Sequence, residues 1–229
     1  MNLIDVRAQL ESDLAWRQNE IRLLRNLLST LTKEEDKKRY RKALVVMLYS
    51  HYEGFCKTAF LTYIAAINQE NIPCFKANNY IKVASLSDIF DALETRDSKC
   101  KTFKPRLPDD SKLHRYCRHV DFISELDRFM NRRIYIPDKL IDTESNLKRE
   151  VLRKLLYRLG FPYDIFVNHE GKIECLLNIR NEIAHGRYSI KGIEQDQYES
   201  LEKAIYEVMT GLIKILMNSL ESQSYLIIQ

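Results

Sequence analysis

Apolar residues recur at helical spacing along most of the chain. From Leu3 to Leu31 they follow a heptad-like pattern, which predicts a long first helix that packs within a bundle. The stretch from about Lys33 to Gln69 is apolar nearly all round in its middle, as in a helix buried at the centre of a bundle. Thr32 stands where it can cap this second helix, with Glu35 at the capping-box position. The chain is therefore predicted to open with two long, packed helices.

Apolar residues at helical spacing recur near the carboxyl end of the chain. Residues Gly171 to Tyr188 predict one helix of about four turns, closed by Gly186 just past its end. Residues Ile193 to Leu220 predict an amphipathic last helix. The chain contains only 6 glycines and 5 prolines, too few for the turns of a β-sandwich or a doubly wound sheet. The predicted fold class is all-α.

The middle of the chain has shorter helical patterns separated by loops. We predict a single domain over residues 1–229, with residues 74–142 inserted between the helices of its bundle. Residues 99–133 hold 10 Lys and Arg against 5 Asp and Glu. Such a run is either a solvated face or a contact to RNA phosphates, and the sequence leaves both interpretations open.

Composition and the absence of some motifs limit the classes of function that this chain can have. The net charge of +4 permits a polyanionic partner without requiring one. Five scattered cysteines without a CxxC pair favour reduced thiols and a cytoplasmic location. No apolar run approaches the roughly 20 residues that span a bilayer, so no membrane partner is expected. The absence of a glycine-rich phosphate loop and of HExxH argues against P-loop hydrolysis and zinc proteases. No metal or cofactor is predicted.

One charged residue interrupts an apolar stripe of the helix that ends at Gly186. The stripe consists of Ile173, Leu176, Leu177, Ile183 and Ala184. Arg180 lies in its middle, while Asn181 and His185, four residues apart, share one edge. Because lone charges are rarely buried without a partner, we expect a carboxylate or an arriving phosphate to meet the Arg180 guanidinium.

The predicted central helix offers one carboxylate for that role. Glu53 lies in its otherwise apolar middle and is predicted to neutralise and orient Arg180. The alternative is that Glu53 pairs with Lys57, four residues further on, at the surface. The sequence leaves both interpretations open.

Arginine and histidine together suffice for cleavage of RNA without a metal. Histidine titrates near neutrality and can take a proton from a ribose 2′-hydroxyl or give one to the leaving 5′-oxygen. Arginine stays charged and can bind two oxygens of the phosphorane-like transition state. A second copy of the site across a two-fold axis would supply both an acid and a base. The predicted product is a 2′,3′-cyclic phosphate.

Two blocks of sequence resemble a known family. The segment RNEIAH, residues 180–185, resembles the Arg-(polar)-x3-to-5-His signature of HEPN proteins (higher eukaryotes and prokaryotes nucleotide-binding). The segment SHYEGFCKTAF, residues 50–60, resembles an early core helix of their bacterial MAE-type branch. The resemblance implies a homodimer that cuts RNA without metal, often as a toxin or anti-phage effector. It implies that Arg180 binds phosphate, that His185 is the acid/base, and that Asn181 is the polar residue after the arginine.

The resemblance also bears on regulation and on rival functions. In some HEPN toxins a tyrosine two residues after the histidine is modified; here Arg187 holds that position and Tyr188 follows it. Arg187 is thus a candidate phosphate contact, and an antitoxin or a nucleotidyltransferase is the expected kind of partner. The rivals are a non-catalytic HEPN module that binds nucleotides or a protein, and a helical scaffold in which Arg180 is ion-paired in the core.

Overall fold

The structure is a computed structural model that describes residues 2–95, 111–186 and 192–227. Within these ranges the chain forms nine α-helices and no β-strand, which confirms the all-α prediction. In chain order the helices are α1 (Leu3–Ser29), α2 (Glu34–Gln69), α3 (Asn79–Ser85), α4 (Ser87–Glu94), α5 (Ser111–Ser124), α6 (Leu126–Asn131), α7 (Arg149–Arg158), α8 (Glu170–Ala184) and α9 (Gln195–Ser222). No helix in the described ranges combines the length and the apolarity needed to cross a bilayer.

Helix α2 is the centre of the bundle and packs against α1, α8 and α9. Side chains around most of its circumference are buried, as the apolar middle of the sequence predicts, while Val46, Ser50, Lys57 and Ala65 are exposed. The largest buried apolar side chains are Tyr52, Tyr63, Phe55 and Phe60, which are fully enclosed. Burial of this apolar surface is the main driving force for folding. The prediction that Thr32 caps α2 is wrong: Lys33 occupies the N-cap position, and no side chain caps the helix.

The apolar stripe of α1 carries one buried arginine that is paired within the fold. Arg17 binds Asp13 through two hydrogen bonds of 2.8 and 3.2 Å and donates to the carbonyl of His51 at 3.4 Å. Gly54 makes room for it, because a Cβ at that position would lie 2.8 Å from the Arg17 Nη1 atom. This arginine therefore fastens α1 to α2.

Helix α8 is fixed by its neighbours α2, α7 and α9. At its amino end the Glu170 carboxylate accepts two hydrogen bonds from Arg153 of α7, one of 2.7 Å from Nη2. Arg149 reaches Glu174 one turn later, at 3.1 Å. These pairs add to the apolar packing and hold α8 in a defined orientation, so that its carboxyl end is presented at a fixed place.

Backbone hydrogen bonds join the two ends of the middle segment to each other. The amide of Cys74 donates to the carbonyl of Arg132 at 2.8 Å, and the amide of Ile134 donates to that of Ile72 at 2.9 Å. Its status as an insertion over residues 74–142 stays a prediction. Residues 99–110 of the basic run lie outside the described residues, as do Arg187 and Tyr188.

Candidate functional site

The carboxyl end of α8 carries the three predicted site residues. Arg180 and Asn181 are half-buried, whereas His185, the residue that ends the helix, is exposed. The His185 amide donates to the Asn181 carbonyl at 3.0 Å, and Gly186 follows with φ +68°, a left-handed conformation that suits glycine. The helix therefore ends where the motif ends, and the imidazole is open to solvent.

The apolar stripe around Arg180 is buried at one end only. Ile173, Leu176 and Leu177 are buried, but Ala184, which the pattern places on the same stripe, is exposed. The seam between α8 and its neighbours thus opens to solvent at the level of Arg180. This explains how a guanidinium can occupy the stripe without being sealed in the core.

Tyr49 of α2 and Asn181 are the groups that meet the Arg180 side chain. The guanidinium carbon lies 4.9 Å from the centroid of the Tyr49 ring, and Nη1 donates to Asn181 Oδ1 at 2.9 Å. Among the residues that the structure describes, no carboxylate lies within 4.0 Å of the Arg180 nitrogens. A cation held on an aromatic face keeps its positive charge without an anionic partner. The guanidinium therefore has no directly bound carboxylate among the described residues.

Asn181 holds the Arg180 guanidinium at the end of α8, because its amide oxygen accepts a hydrogen bond from Arg180 Nη1. Residues 181 and 185 are neighbours on the helix surface because they are four apart. Helical spacing therefore places His185 on the edge of α8 at which Asn181 binds Arg180.

Tyr49 also forms hydrogen bonds with residues 146 and 147, which lead into α7. It is only 2 % exposed, and its hydroxyl donates to Asn146 Oδ1 at 3.0 Å and accepts the Leu147 amide at 2.9 Å. Burial raises the pKa of Tyr49, and the nearby Glu53 charge raises it further, whereas the Leu147 amide and Arg180 lower it. The net effect is a raised pKa, so Tyr49 is a neutral phenol at physiological pH.

Sequence reasoning did not identify Tyr49 as a site residue. The available signal was weak: Tyr49 precedes Glu53 by four residues, so the two share one face of α2. Glu53 is half-buried and acts on the Tyr49 hydroxyl, while Lys57 one turn later is exposed. Within the described residues no ion pair joins Glu53 to Lys57 or to Arg180. The part of Glu53 and Lys57 in the site stays a prediction. In the described structure Tyr49 is the residue of α2 that contacts Arg180.

The remaining chemistry of the site is that of one guanidinium and one imidazole. In the part of the chain that the structure describes, no three His, Cys, Asp or Glu side chains are grouped to hold a metal ion. The half-buried Arg180 can bind the oxygens of a phosphate. The exposed His185 can exchange a proton with a ligand that reaches the end of α8.

A comparison with known protein families identifies the family of this chain. The model of the MAE_28990-like HEPN family matches residues 6–225. The chain belongs to this HEPN family. The match covers both α2 and the end of α8, and it confirms the resemblance noted in residues 50–60 and 180–185. Comparisons with curated proteins and with solved structures gave no significant match.

Proposed function

We propose that this HEPN protein is a metal-independent endoribonuclease. The observation that carries the proposal is the Arg180 guanidinium, held on the Tyr49 ring without a directly bound carboxylate among the described residues, at the same helix end as the exposed His185. A site of this kind is suited to an incoming phosphate, because the charge is placed in advance and the proton carrier is accessible. HEPN membership supports a nuclease or a nucleotide-binding module, and the arrangement of these two side chains favours the nuclease.

In the proposed reaction the ribose 2′-oxygen attacks the adjacent phosphorus, and the bond from phosphorus to the 5′-oxygen breaks. His185 of one subunit takes the proton of the 2′-hydroxyl, and the second copy of His185 gives a proton to the leaving 5′-oxygen. Arg180 stabilises the charge that develops on the non-bridging oxygens. The products are a 2′,3′-cyclic phosphate and a free 5′-hydroxyl, and the homodimer supplies both proton carriers.

The proposed biological role is that of a toxin or an anti-phage effector in the cytoplasm. Its support is the HEPN affiliation together with the reduced thiols that the cysteine pattern favours. An antitoxin or a nucleotidyltransferase would then be the natural partner. Arg187, which follows the site directly in sequence, is the proposed position for a further phosphate contact. Tyr188 lies one residue beyond the position that is modified in some HEPN toxins, and this difference argues against the same modification here.

The experiment compares cleavage of total RNA by the purified chain with and without EDTA. Wild-type activity should survive the chelator, and Arg180→Ala and His185→Ala should each lower it about 100-fold or more. Helicity and molecular mass in solution verify that these variants remain folded and dimeric. Arg7→Ala is the matched control, because Arg7 is an exposed arginine of α1 paired with Glu221. Binding of nucleotide without any cleavage would instead identify a non-catalytic HEPN module.

A further inference from the structure

Helices α3, α4 and α7 surround an open cavity that the proposed reaction does not use. Its volume is about 440 Å³, within the range of about 300–1,000 Å³ typical of small-ligand sites. Apolar side chains supply most of its surface, chiefly Tyr80, Val83, Phe90, Leu140 and Tyr157. The cavity is therefore large enough for a flat ring and apolar enough to stabilise one.

Two tyrosines form adjoining walls of this cavity. The rings of Tyr80 and Tyr157 meet edge to face, with centroids 5.5 Å apart and planes at 85°. Tyr80 is fixed against the backbone after α7, since a Cβ on Gly160 would lie 3.1 Å from its ring; Gly160 also has φ +82°. Tyr157 is 56 % exposed and presents its ring to an incoming group. Aromatic faces of this kind stack bases with little regard to sequence.

A cation lies at the rim of the cavity. Arg158 is exposed there and donates to the Leu140 carbonyl at 3.3 Å, and no carboxylate of the described chain lies within 4.0 Å of it. The acidic residue of the lining, Asp91, is paired with Lys139 at 2.9 Å. Ser87 Oγ is buried beneath the lining and has no hydrogen-bond partner among the described residues. The rim thus offers a guanidinium that no described carboxylate binds directly.

Helix α7 connects this cavity to the Arg180 site. Its amino end adjoins Leu147, whose amide is bound by the Tyr49 hydroxyl beneath Arg180. Its carboxyl end is Arg158, and ten helical residues span about 15 Å. Lys148, at the start of α7, is exposed and also lies beyond 4.0 Å of every described carboxylate. An exposed cation therefore lies at each end of α7.

We propose that the cavity binds one nucleobase of the single-stranded RNA whose scissile phosphate lies at Arg180. The base stacks on Tyr157, while Arg158 and Lys148 contact phosphates along α7. The exposed aromatic face and the two exposed cations favour a nucleotide over an apolar protein side chain, which would leave both cations unused. This inference rests on the proposed function, because it assigns a second contact to the same substrate.

The test measures binding of a labelled single-stranded RNA of about ten nucleotides to full-length His185→Ala, by fluorescence anisotropy at low salt. Adding Tyr157→Ala should weaken binding about tenfold, as loss of one stacked base does. Adding Val83→Trp, which fills the cavity from a half-exposed position, should have a similar effect. Tyr135→Ala, at an exposed tyrosine outside the cavity and the basic run, is the matched control and should leave the affinity unchanged.

A series of RNAs with one abasic nucleotide locates the base. At one position the abasic RNA should bind about tenfold more weakly, and Tyr157→Ala should then add no further loss, because both changes remove the same contact. At other positions the two losses should add. Unchanged affinity in both Tyr157→Ala and Val83→Trp, additive losses at every position, or no RNA binding at all overturns the proposal. A cavity that receives a protein side chain would give the first of these outcomes.

The same data separate this inference from the ribonuclease proposal. If wild-type protein fails to cleave RNA but the abasic series identifies one position, the base-binding cavity stands and the catalytic proposal fails. If wild-type protein cleaves RNA while the cavity variants bind normally, the catalytic proposal stands and the base-binding cavity is refuted.

Discussion

Tyr49 is the residue on which the geometry of the site depends most, and two substitutions separate its two roles. Tyr49→Phe keeps the ring beneath Arg180 and removes the hydroxyl that binds Asn146 and Leu147. Tyr49→Leu removes both the hydroxyl and the aromatic face. We expect the first change to lower the free energy of unfolding while sparing activity, and the second to lower both.

The magnitudes follow from the contacts. Leu147 is fully buried, and a buried amide that loses its acceptor costs about 1–3 kcal/mol. Asn146 is half-buried, so its side-chain oxygen can accept a hydrogen bond from water instead. We therefore expect a loss of about 2 kcal/mol for Tyr49→Phe, or roughly 4–8 °C in Tm for a chain of this size. A cation over an aromatic ring contributes about 0.5–2 kcal/mol, so Tyr49→Leu should lower the cleavage rate about tenfold beyond Tyr49→Phe.

The assay is RNA cleavage by both variants, together with thermal unfolding followed by circular dichroism. Rates are compared well below the lower Tm, so that unfolding does not contribute. Tyr135→Phe, at an exposed tyrosine, is the control for loss of a phenolic hydroxyl. Equal loss of activity in Tyr49→Phe and Tyr49→Leu would refute the role of the ring, and an unchanged Tm for Tyr49→Phe would refute that of the hydroxyl.

Three further predictions concern buried titratable and polar groups. The Tyr52 hydroxyl is buried without a hydrogen-bond partner among the described residues, so Tyr52→Phe should leave stability unchanged or raise it by about 1 kcal/mol in urea unfolding. Burial raises the pKa of Tyr63 and Tyr198 in the folded protein. Their contribution to stability is therefore complete below about pH 10, the pKa of tyrosine in the unfolded chain. It is lost as the pH rises from there toward the pKa values in the folded protein. Tyrosinate absorbance should therefore appear together with loss of helicity, and ionisation of these tyrosines in the folded protein would contradict this. Burial lowers the pKa of His51, with Glu20 opposing the shift, so stability should fall as pH drops below about 6.5, and His51→Gln should flatten that slope in denaturation curves.

The long helices could be predicted because each has a strong periodic signal. The apolar middle of α2 and the heptad-like stripe of α1 both correspond to buried faces. Capping was less predictable, since Thr32 has a suitable side chain but the helix begins after Lys33 instead. A capping side chain supplies about 1 kcal/mol, which the tertiary packing of a 36-residue helix easily outweighs.

The candidate site was predictable only within one helix. The spacing of Arg180, Asn181 and His185 fixes their relation on α8, because residues four apart are neighbours there. The partner of Arg180 was not predictable, since Tyr49 lies on another helix and aromatic residues in a buried helix all resemble core residues in sequence. The charge of Glu53 makes it one candidate partner in the sequence, yet the described contact to Arg180 comes from the neutral ring one turn earlier. Local periodicity does not specify which residues of two packed helices meet.

If Arg180 and His185 cleave RNA by attack of the ribose 2′-oxygen, the ends of the products identify the reaction. These ends can be analysed after cleavage of a defined oligoribonucleotide in EDTA, with a second substrate that carries a 2′-deoxyribose at the cleaved position. We expect a 2′,3′-cyclic phosphate and a 5′-hydroxyl, no cleavage at the deoxy position, and no products with His185→Ala. A 3′-hydroxyl with a 5′-phosphate, or cleavage at the deoxy position, would contradict it.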